Sequence, residues 1–256
     1  MSLLISTARQ ARYDNRSFWR NPAAAFFTFI FPIMFLVIFN LVFNDQIDVP
    51  GGEVATSTFY VPAIVALSIV NACYTNIAWG IVAYRDRGIL KRLRGTPLPT
   101  MAYLGGRILQ AIWVAIVLVV LVLAIGVVFY SVDLPGDKMP AFILSLVVGA
   151  ASFCALGMAL AAAVPNEDAA PAVINGSILP LLFISNVFIP TSSAPGWLND
   201  FASLFPVVHL ANALHASFNP FVTGNGFEWK DLAVMLAWCG IGIVLSVRYF
   251  SWEPRR

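Results

Sequence analysis

Few side chains in this sequence have the type and spacing that acid–base, metal or nucleotide chemistry requires. His209 and His215 are six positions apart, which does not place them on one helix face, so no metal site is predicted. Cys73, Cys154 and Cys239 lie far apart in apolar runs and are typical of small buried residues. The sequence contains no Gly-x-x-x-x-Gly-Lys-Ser/Thr phosphate loop. We therefore predict no catalytic residues and no cofactor bound by this chain.

Uncharged hydrogen-bonding side chains within apolar runs are the other groups that could do chemistry. They are Asn40, Ser68, Asn71, Tyr74, Thr75, Asn76, Asn175, Ser177, Ser185 and Asn186. Burying an unbonded amide costs about 1–3 kcal/mol, so these groups need partners. Two interpretations stay open: hydrogen bonds between helices, or the lining of a cavity for an amphipathic solute. Their grouping at 71–76 and 175–186 favours a surface shared by two helices.

The elements that position these groups are predicted to be membrane helices. The 256 residues are 59% hydrophobic and 11% charged with mean hydropathy +0.81, whereas soluble domains are roughly 25% charged. Apolar runs long enough to cross a hydrocarbon core about 30 Å thick occur at 23–43, 59–83, 108–130, 141–164, 169–190 and 232–250. None contains Asp, Glu or Lys, and Arg248 is the only arginine in them. The prediction is an all-α membrane protein with six transmembrane helices.

Cations predict how these helices are oriented. One side of the predicted bundle carries Arg9, Arg12, Arg16, Arg20, Arg85, Arg87, Lys91, Arg92, Arg94, Arg107, Arg248, Arg255 and Arg256. The opposite loops carry Lys138 and Lys230 together with eight acids. By the positive-inside rule the first side is cytoplasmic, and both termini lie there.

Three polar stretches lie outside the predicted spans. Residues 1–22 predict an amphipathic interfacial helix, with a merely basic topogenic tail as the alternative. Residues 84–107 place Leu90 and Leu93 at helical spacing among cations, which predicts a short cytoplasmic helix; the alternative is a solvated charged loop. Residues 191–231 are apolar but interrupted by polar groups and predict an outer re-entrant helical segment.

The second stretch resembles a known family. Arg85-Asp86-Arg87-Gly88-Ile-Leu-Lys-Arg-Leu-Arg-Gly-Thr-Pro-Leu, the six spans and the outer segment resemble the type-2 ABC exporter permeases, which include daunorubicin-type permeases, polysaccharide exporters and, more distantly, G-subfamily exporters. The resemblance implies a coupling helix that docks on an ABC ATPase subunit through Arg85, Asp86, Arg87, Gly88, Leu90, Arg92, Leu93, Thr96 and Pro97. Asp86 stands where the family usually has Glu, and Lys91 where an acid is common.

The resemblance also implies a substrate path between the second and fifth spans, lined by Phe35, Phe39, Asn71, Tyr74, Asn76, Asn175, Ser177, Phe183 and Asn186. An outer lid would contain Trp197, Phe201, Phe205 and His209. The implied partners are an ABC ATPase that holds ATP and Mg, a second permease copy or a sister permease, the lipid bilayer and a small amphipathic substrate. No nucleic-acid partner is predicted, and the implied location is the plasma (inner) membrane.

The function predicted from the sequence is that of the permease subunit of an ATP-driven exporter for a drug-like, antibiotic or lipid-linked substrate. Export of a polysaccharide or another cell-envelope precursor is the alternative. A carrier or channel without an ATPase would be expected to show internal repeats or intramembrane charge. A membrane-bound enzyme or an assembly scaffold is not favoured, because the sequence shows no ionisable groups that would converge on a site. Replacing Leu90 and Leu93 by Asp is expected to uncouple the ATPase.

Overall fold

The structure is a computed structural model that describes residues 3–43, 46–96, 98–190 and 195–251. Its helices are α1 (Leu3–Trp19), α2 (Pro22–Val42), α3 (Thr56–Ile69), α4 (Asn76–Asp86), α5 (Ile89–Arg94), α6 (Thr100–Tyr130), α7 (Met139–Ala163), α8 (Ala170–Phe183), α9 (Gly196–Ala202), α10 (Pro206–Phe218) and α11 (Trp229–Tyr249). A π-helical turn, Val70–Thr75, joins α3 to α4, and a 3₁₀ turn, Gly136–Lys138, precedes α7.

A β-hairpin between α2 and α3 corrects the all-α prediction for this segment. Strands β1 (Gln46–Val49) and β2 (Gly52–Ala55) pair antiparallel, with Ile47 opposite Val54. Val54 is buried and Ile47 packs against the core, so the hairpin buries apolar side chains on one face. Each strand is too short to produce the sustained alternation that identifies a strand from sequence.

Five helical segments are long and apolar enough to cross a membrane. They are Ala25–Val42, Thr56–Asp86, Thr100–Tyr130, Gly136–Ala163 and Trp229–Tyr249. The pair α9 and α10, bent by 100°, brings the number to six if the pair counts as one span. The structure therefore agrees with a bundle of five to six membrane helices among the residues it describes. Its sixth candidate, α9 with α10, lies in the predicted outer segment 191–231 and not in the predicted fifth span.

The predicted fifth span, 169–190, differs most from the helix that the structure shows there. Its helix α8 has 14 residues and ends at Phe183, so it is roughly 21 Å long, short of a hydrocarbon core about 30 Å thick. Pro180 lies in its last turn, and Asn186 then adopts a left-handed φ of 63°, which turns the chain away from the helix axis. The apolar run continues through this turn, and for this reason its length overstated the helix.

The bundle has two chemically different ends. The basic end comprises α1, α5 and the loop 164–169, and the acidic end comprises the hairpin, α9 and the loop 219–228. Helices α7 and α11 run side by side between the two ends, and α10 packs among α3, α7 and α11 in the acidic half. The third membrane helix, α6, begins at Thr100 rather than near residue 108 and so includes part of the predicted cytoplasmic segment.

Close backbone approach holds α7 against the π-helical turn. A Cβ atom at Gly157 would lie 2.7 Å from the Tyr74 carbonyl oxygen and 3.0 Å from that of Cys73. Only a residue without a side chain fits at such a distance, which is the usual role of small residues between membrane helices. The position of Tyr74 is therefore set by direct helix contact.

Helix α1 packs lengthwise on the first turns of α6. Ser6 and Asp14 are buried there, and a Cβ atom at Gly106 would lie 2.6 Å from the Gln10 side chain. Leu4, in contrast, is 80% exposed. One face of α1 is thus covered by α6, while a second face carries exposed apolar residues.

Candidate functional site

Arg85 joins the end of α4 to the end of α7. Its guanidinium is 1% exposed and donates from Nη1 to the Ala161 carbonyl at 2.9 Å. Nη2 donates to the carbonyls of Val164 and, at 3.2 Å, of Pro165. The last carbonyls of a helix have no partner within the helix and carry partial negative charge, so a cation stabilises them. Arg85, predicted to dock on a partner, is turned inward and caps α7.

The two residues after Arg85 bind the same loop. The Asp86 Oδ2 atom accepts a hydrogen bond from the Glu167 amide at 3.0 Å. Arg87 Nε donates to the Glu167 carboxylate at 2.9 Å, and Nη2 forms a second bond to it. This pair raises the pKa of the Arg87 guanidinium, chiefly through the hydrogen bond. The Arg-Asp-Arg motif therefore ties α4 to the loop 164–169.

Helix α5 presents cations outward and one leucine inward. Gly88 has a left-handed φ of 67°, and α5 then begins at Ile89. Leu90 is fully buried, and Leu93 is half-buried against the core. The side chains of Lys91, Arg92 and Arg94 are exposed, and they are called the docking face below after the role that the sequence predicts for this segment.

Burial corrects the predicted role of the leucine at the start of α5. Because Leu90 lies inside this chain, it cannot be an apolar knob for a partner, and its replacement by Asp would damage the permease itself. Thr96 is exposed, and its hydroxyl donates to the Leu93 carbonyl at 2.7 Å, which ends the helix. Pro97, predicted to belong to the docking element, lies outside the described residues.

The predicted polar path is partly brought together. The hydroxyls of Tyr74 and Ser177 are 2.8 Å apart and link the π-helical turn to α8. Asn71 and Asn76, which flank Tyr74 in the sequence, are half-buried. The Nδ2 atom of Asn76 is buried and has no hydrogen-bond partner among the described residues. Asn175, in contrast, is exposed on the outer side of α8. Tyr74 and Ser177 thus contact each other inside the chain, whereas Asn175 lies on its outer surface.

Aromatic rings continue this path towards the acidic end. Phe35 stacks on Phe188 with ring centroids 5.2 Å apart, and Phe183 lies 5.0 Å from the same ring. Phe39 stacks on Tyr60 at 4.7 Å. Sequence reasoning selected Phe35, Phe39 and Phe183 but missed Phe188 and Tyr60, because a long apolar run does not reveal which rings meet.

The predicted outer lid has exposed and buried parts. Trp197 is 70% exposed and Phe201 48% exposed. Phe205 lies between Phe201 and Trp238, with centroids 5.3 and 6.4 Å away. The outermost rings of α9 are therefore free of cover from the described part of this chain.

His209, grouped with the lid from sequence, instead anchors it. The ring is buried, with Nδ1 paired to Asp231 Oδ1 at 2.5 Å and Nε2 bonded to the Ser203 carbonyl at 2.8 Å. His215 stacks on Phe59 at 4.5 Å and donates to the Asn186 carbonyl at 3.0 Å. Both histidines satisfy polar contacts, and Asp231 is the partner that sequence reasoning did not find.

A cavity of about 450 Å³ opens at the acidic end beside these histidines. Phe59, Asn186, Asn212 and His215 contribute to its wall, so it adjoins the turn where the predicted path ends. Its volume is in the range of small-molecule sites.

A buried ion pair holds α1 to α6. Arg107 Nη1 lies 3.8 Å from Asp14 Oδ1, and the guanidinium lies over the Tyr84 ring at 4.7 Å. Gln10 donates to the same carboxylate oxygen at 3.1 Å. Burial raises the pKa of the Asp14 carboxyl, although Arg107 and Gln10 lower it in part. Asp14 is the single acid among the arginines of residues 1–20, a signal that could have drawn attention to it.

Comparisons with known proteins agree with the resemblance inferred from the coupling motif. The probable multidrug ABC transporter permease YbhR of Escherichia coli K12 is 23% identical over 154 residues, which are 60% of this chain and 42% of YbhR. The chain thus spans less than half the length of YbhR. The inner membrane transport permease YadH of the same strain is 22% identical over 75% of both chains.

Another relative carries a drug-resistance name. The daunorubicin resistance ABC transporter permease protein DrrB1 of Streptomyces coeruleorubidus is 27% identical over 72% of this chain and 64% of DrrB1. The family model described as ABC-2 type transporter matches residues 4–219, which include the docking face, the polar path and the buried ion pair. On this match the chain belongs to the ABC-2 type transporter family.

Proposed function

We propose that this chain is the membrane-spanning permease subunit of an ATP-driven ABC exporter. The ABC ATPase subunit would hold ATP and Mg and would bind the basic end of the bundle. By the positive-inside rule that end, with both termini, lies in the cytoplasm below the plasma (inner) membrane. A second copy of the chain or a sister permease would complete the path. The relatives named as ABC transporter permeases support this assignment.

The observation that carries the proposal is the construction of the docking face. Lys91, Arg92 and Arg94 point outward from a helix whose Leu90 is locked in the core. Through Arg85, the neighbouring end of α4 is bonded to the end of α7. A push on α5 by a closing ATPase would therefore be transmitted to two membrane helices rather than absorbed by a loose loop.

The substrate we propose is amphipathic and largely uncharged. The aromatic cluster around Phe188 offers apolar contact, and Tyr74, Ser177 and Asn175 offer hydrogen bonds without charge. The names of YbhR and DrrB1 point towards drug-like molecules. A polysaccharide or another cell-envelope precursor stays the alternative cargo, and exposed Trp197 and Phe201 would cover the exit.

The first test reverses the charge of the docking face. The surface of an ABC ATPase that binds these cations would be acidic, and like charges across an interface cost several kcal/mol. Replacing Lys91, Arg92 and Arg94 together by Glu should therefore abolish co-purification of the ATPase and reduce transport at least about tenfold. The thermal stability of the permease should hardly change, since all three side chains are exposed. Affinity purification with quantified ATPase subunit, and dye or drug efflux, are the measurements.

Arg248→Glu is the matched control, because Arg248 is an exposed cation in the last turn of α11 and lies outside the docking face. It should retain the ATPase and transport. Full ATPase retention by the triple variant would overturn the docking assignment. Substrate movement by the purified chain alone in liposomes would replace the exporter with a carrier or channel.

A second test separates the two roles open to the polar residues. Asn175→Ala should reduce transport severalfold while leaving thermal stability unchanged, since the side chain is exposed on α8. Ser177→Ala should lower stability by about 0.6 kcal/mol, because it removes an interhelical hydrogen bond with Tyr74. Transport assays and thermal unfolding in detergent measure both effects. Normal transport by Asn175→Ala would argue that this face of α8 contacts lipid rather than substrate.

A further inference from the structure

A small cavity on α1 is not used by the proposed transport mechanism. It measures about 110 Å³ and is lined by Tyr13, Arg16, Ser17 and Arg20. These positions follow the i, i+3, i+4, i+7 spacing of one helix face, so the four side chains line up along α1. The cavity lies at the C-terminal end of α1, immediately before α2 begins at Pro22.

The chemistry of this cavity suits an anion. Arg16 and Arg20 are exposed and have no acidic partner among the described residues. The acid of the same helix, Asp14, is buried on another face and bonded to Gln10. Two guanidinium groups with two hydroxyls can donate several charge-assisted hydrogen bonds to one phosphate.

The surroundings of the cavity favour a phosphate carried by a lipid. Close to the cavity in sequence, at the start of α2, the rings of Phe26 and Phe27 are 57% and 67% exposed. Trp19 is half-exposed and stacks on Phe29 of α2 with ring centroids 5.4 Å apart, which places the cavity at the foot of a membrane-spanning helix. Arginines beside exposed aromatic rings, with Trp at the boundary, are the pattern of a helix end at the headgroup level.

We propose that Tyr13, Arg16, Ser17 and Arg20 bind the headgroup phosphate of an anionic phospholipid of the inner leaflet. The guanidinium groups hold the phosphate, the hydroxyls donate to its remaining oxygens, and the acyl chains follow the exposed rings of Phe26 and Phe27 on α2. This lipid would fix α1, and with it the Asp14–Arg107 contact, at the membrane surface. The site requires neither the ATPase nor a transported substrate.

The test counts bound lipids on the purified full-length chain by native mass spectrometry, with phosphatidylglycerol as the probe and phosphatidylcholine for comparison. In detergent no charged bilayer surface is present, so direct contacts decide the result. Arg16→Gln with Arg20→Gln should lower the apparent phosphatidylglycerol affinity at least about tenfold, because both charge-assisted contacts to the phosphate are lost. The matched variant, Arg12→Gln with Arg248→Gln, removes two exposed cations outside the cavity and should lower it less than about twofold.

Each other outcome contradicts the proposal. An equal loss in both double variants would show a general charge effect without a site. Full competition by inorganic phosphate would show that the cavity takes the free anion. Unchanged lipid binding with loss of the ABC ATPase would assign the arginines to that partner. Thermal unfolding confirms that the variants are folded, and Arg16→Lys with Arg20→Lys, which keeps the charge but loses the planar fork, should show an intermediate affinity.

Discussion

Arg85→Met should strongly destabilise the protein and abolish transport, although sequence reasoning placed this residue on a docking surface. The change removes hydrogen bonds to three carbonyls at the end of α7 and leaves those carbonyls buried without a donor. A hydrogen bond from a charged group is worth about 1.5–3 kcal/mol, so a loss of about 3 kcal/mol or more is expected. The midpoint temperature of thermal unfolding in detergent should fall by roughly 6–12 °C.

Arg87→Gln is the control for Arg85→Met, because it also removes an arginine that bonds the loop 164–169. The Arg87 side chain is 62% exposed, and its ion pair with Glu167 should contribute about 1 kcal/mol at most. The Arg87 variant should therefore unfold close to the wild type. Equal stability of the two variants would show that the cap on α7 is unimportant, whereas loss of ATPase binding by a fully stable Arg85→Met would return Arg85 to the interface.

Arg107→Met should have the second largest effect, because it leaves the buried Asp14 carboxylate without its cation. Removing one member of a buried pair costs about 3–5 kcal/mol. The variant also loses the contact of the guanidinium with the Tyr84 ring. Asp14→Asn should cost less, since the amide oxygen still accepts from Gln10 and the charged carboxylate is disfavoured by burial. Thermal unfolding of both variants, and of the double variant, measures the coupling.

The pH dependence of Arg107→Met follows from the Asp14 carboxyl. Burial holds its pKa above the usual value, and removal of Arg107, which lowers that pKa, would raise it further. A carboxyl whose pKa is higher in the folded state takes up a proton on folding, so acidification stabilises the fold. The loss of stability of Arg107→Met relative to the wild type should therefore be smaller at mildly acidic pH than at neutral pH. A deficit that does not change with pH, or that persists in the Asp14→Asn background, would contradict the ion-pair account.

The features predictable from sequence were those that depend on composition and local periodicity. Apolar runs identified the membrane helices, and the spacing of Leu90 and Leu93 identified α5. The grouping of polar residues predicted a shared surface, and Tyr74 and Ser177 do meet there. Each of these features can be recognised within one stretch of sequence, or by comparing the polar residues of two stretches.

Features that depend on long-range partners were not predictable. Leu90 has the same spacing whether its side chain faces a partner or the core, so periodicity could not reveal its burial. Arg85 was assigned to the docking element by its position in the family motif, yet its guanidinium bonds carbonyls at and just after the end of α7. The pairing of His209 with Asp231 likewise joins two segments that no local pattern connects.

The π-helical turn Val70–Thr75 has a consequence for any helical wheel drawn through residues 56–86. A wide turn takes up one extra residue, so all later side chains lie about 100° behind the direction that a regular wheel assigns to them. Side chains of α3 and α4 that a regular wheel would align therefore point in different directions. Deleting one residue of this turn would let a regular helix join α3 and α4 with the flanking side chains in their present directions. The faces of α3 and of α4 therefore have to be compared on two separate wheels, one for residues 56–69 and one for residues 76–86.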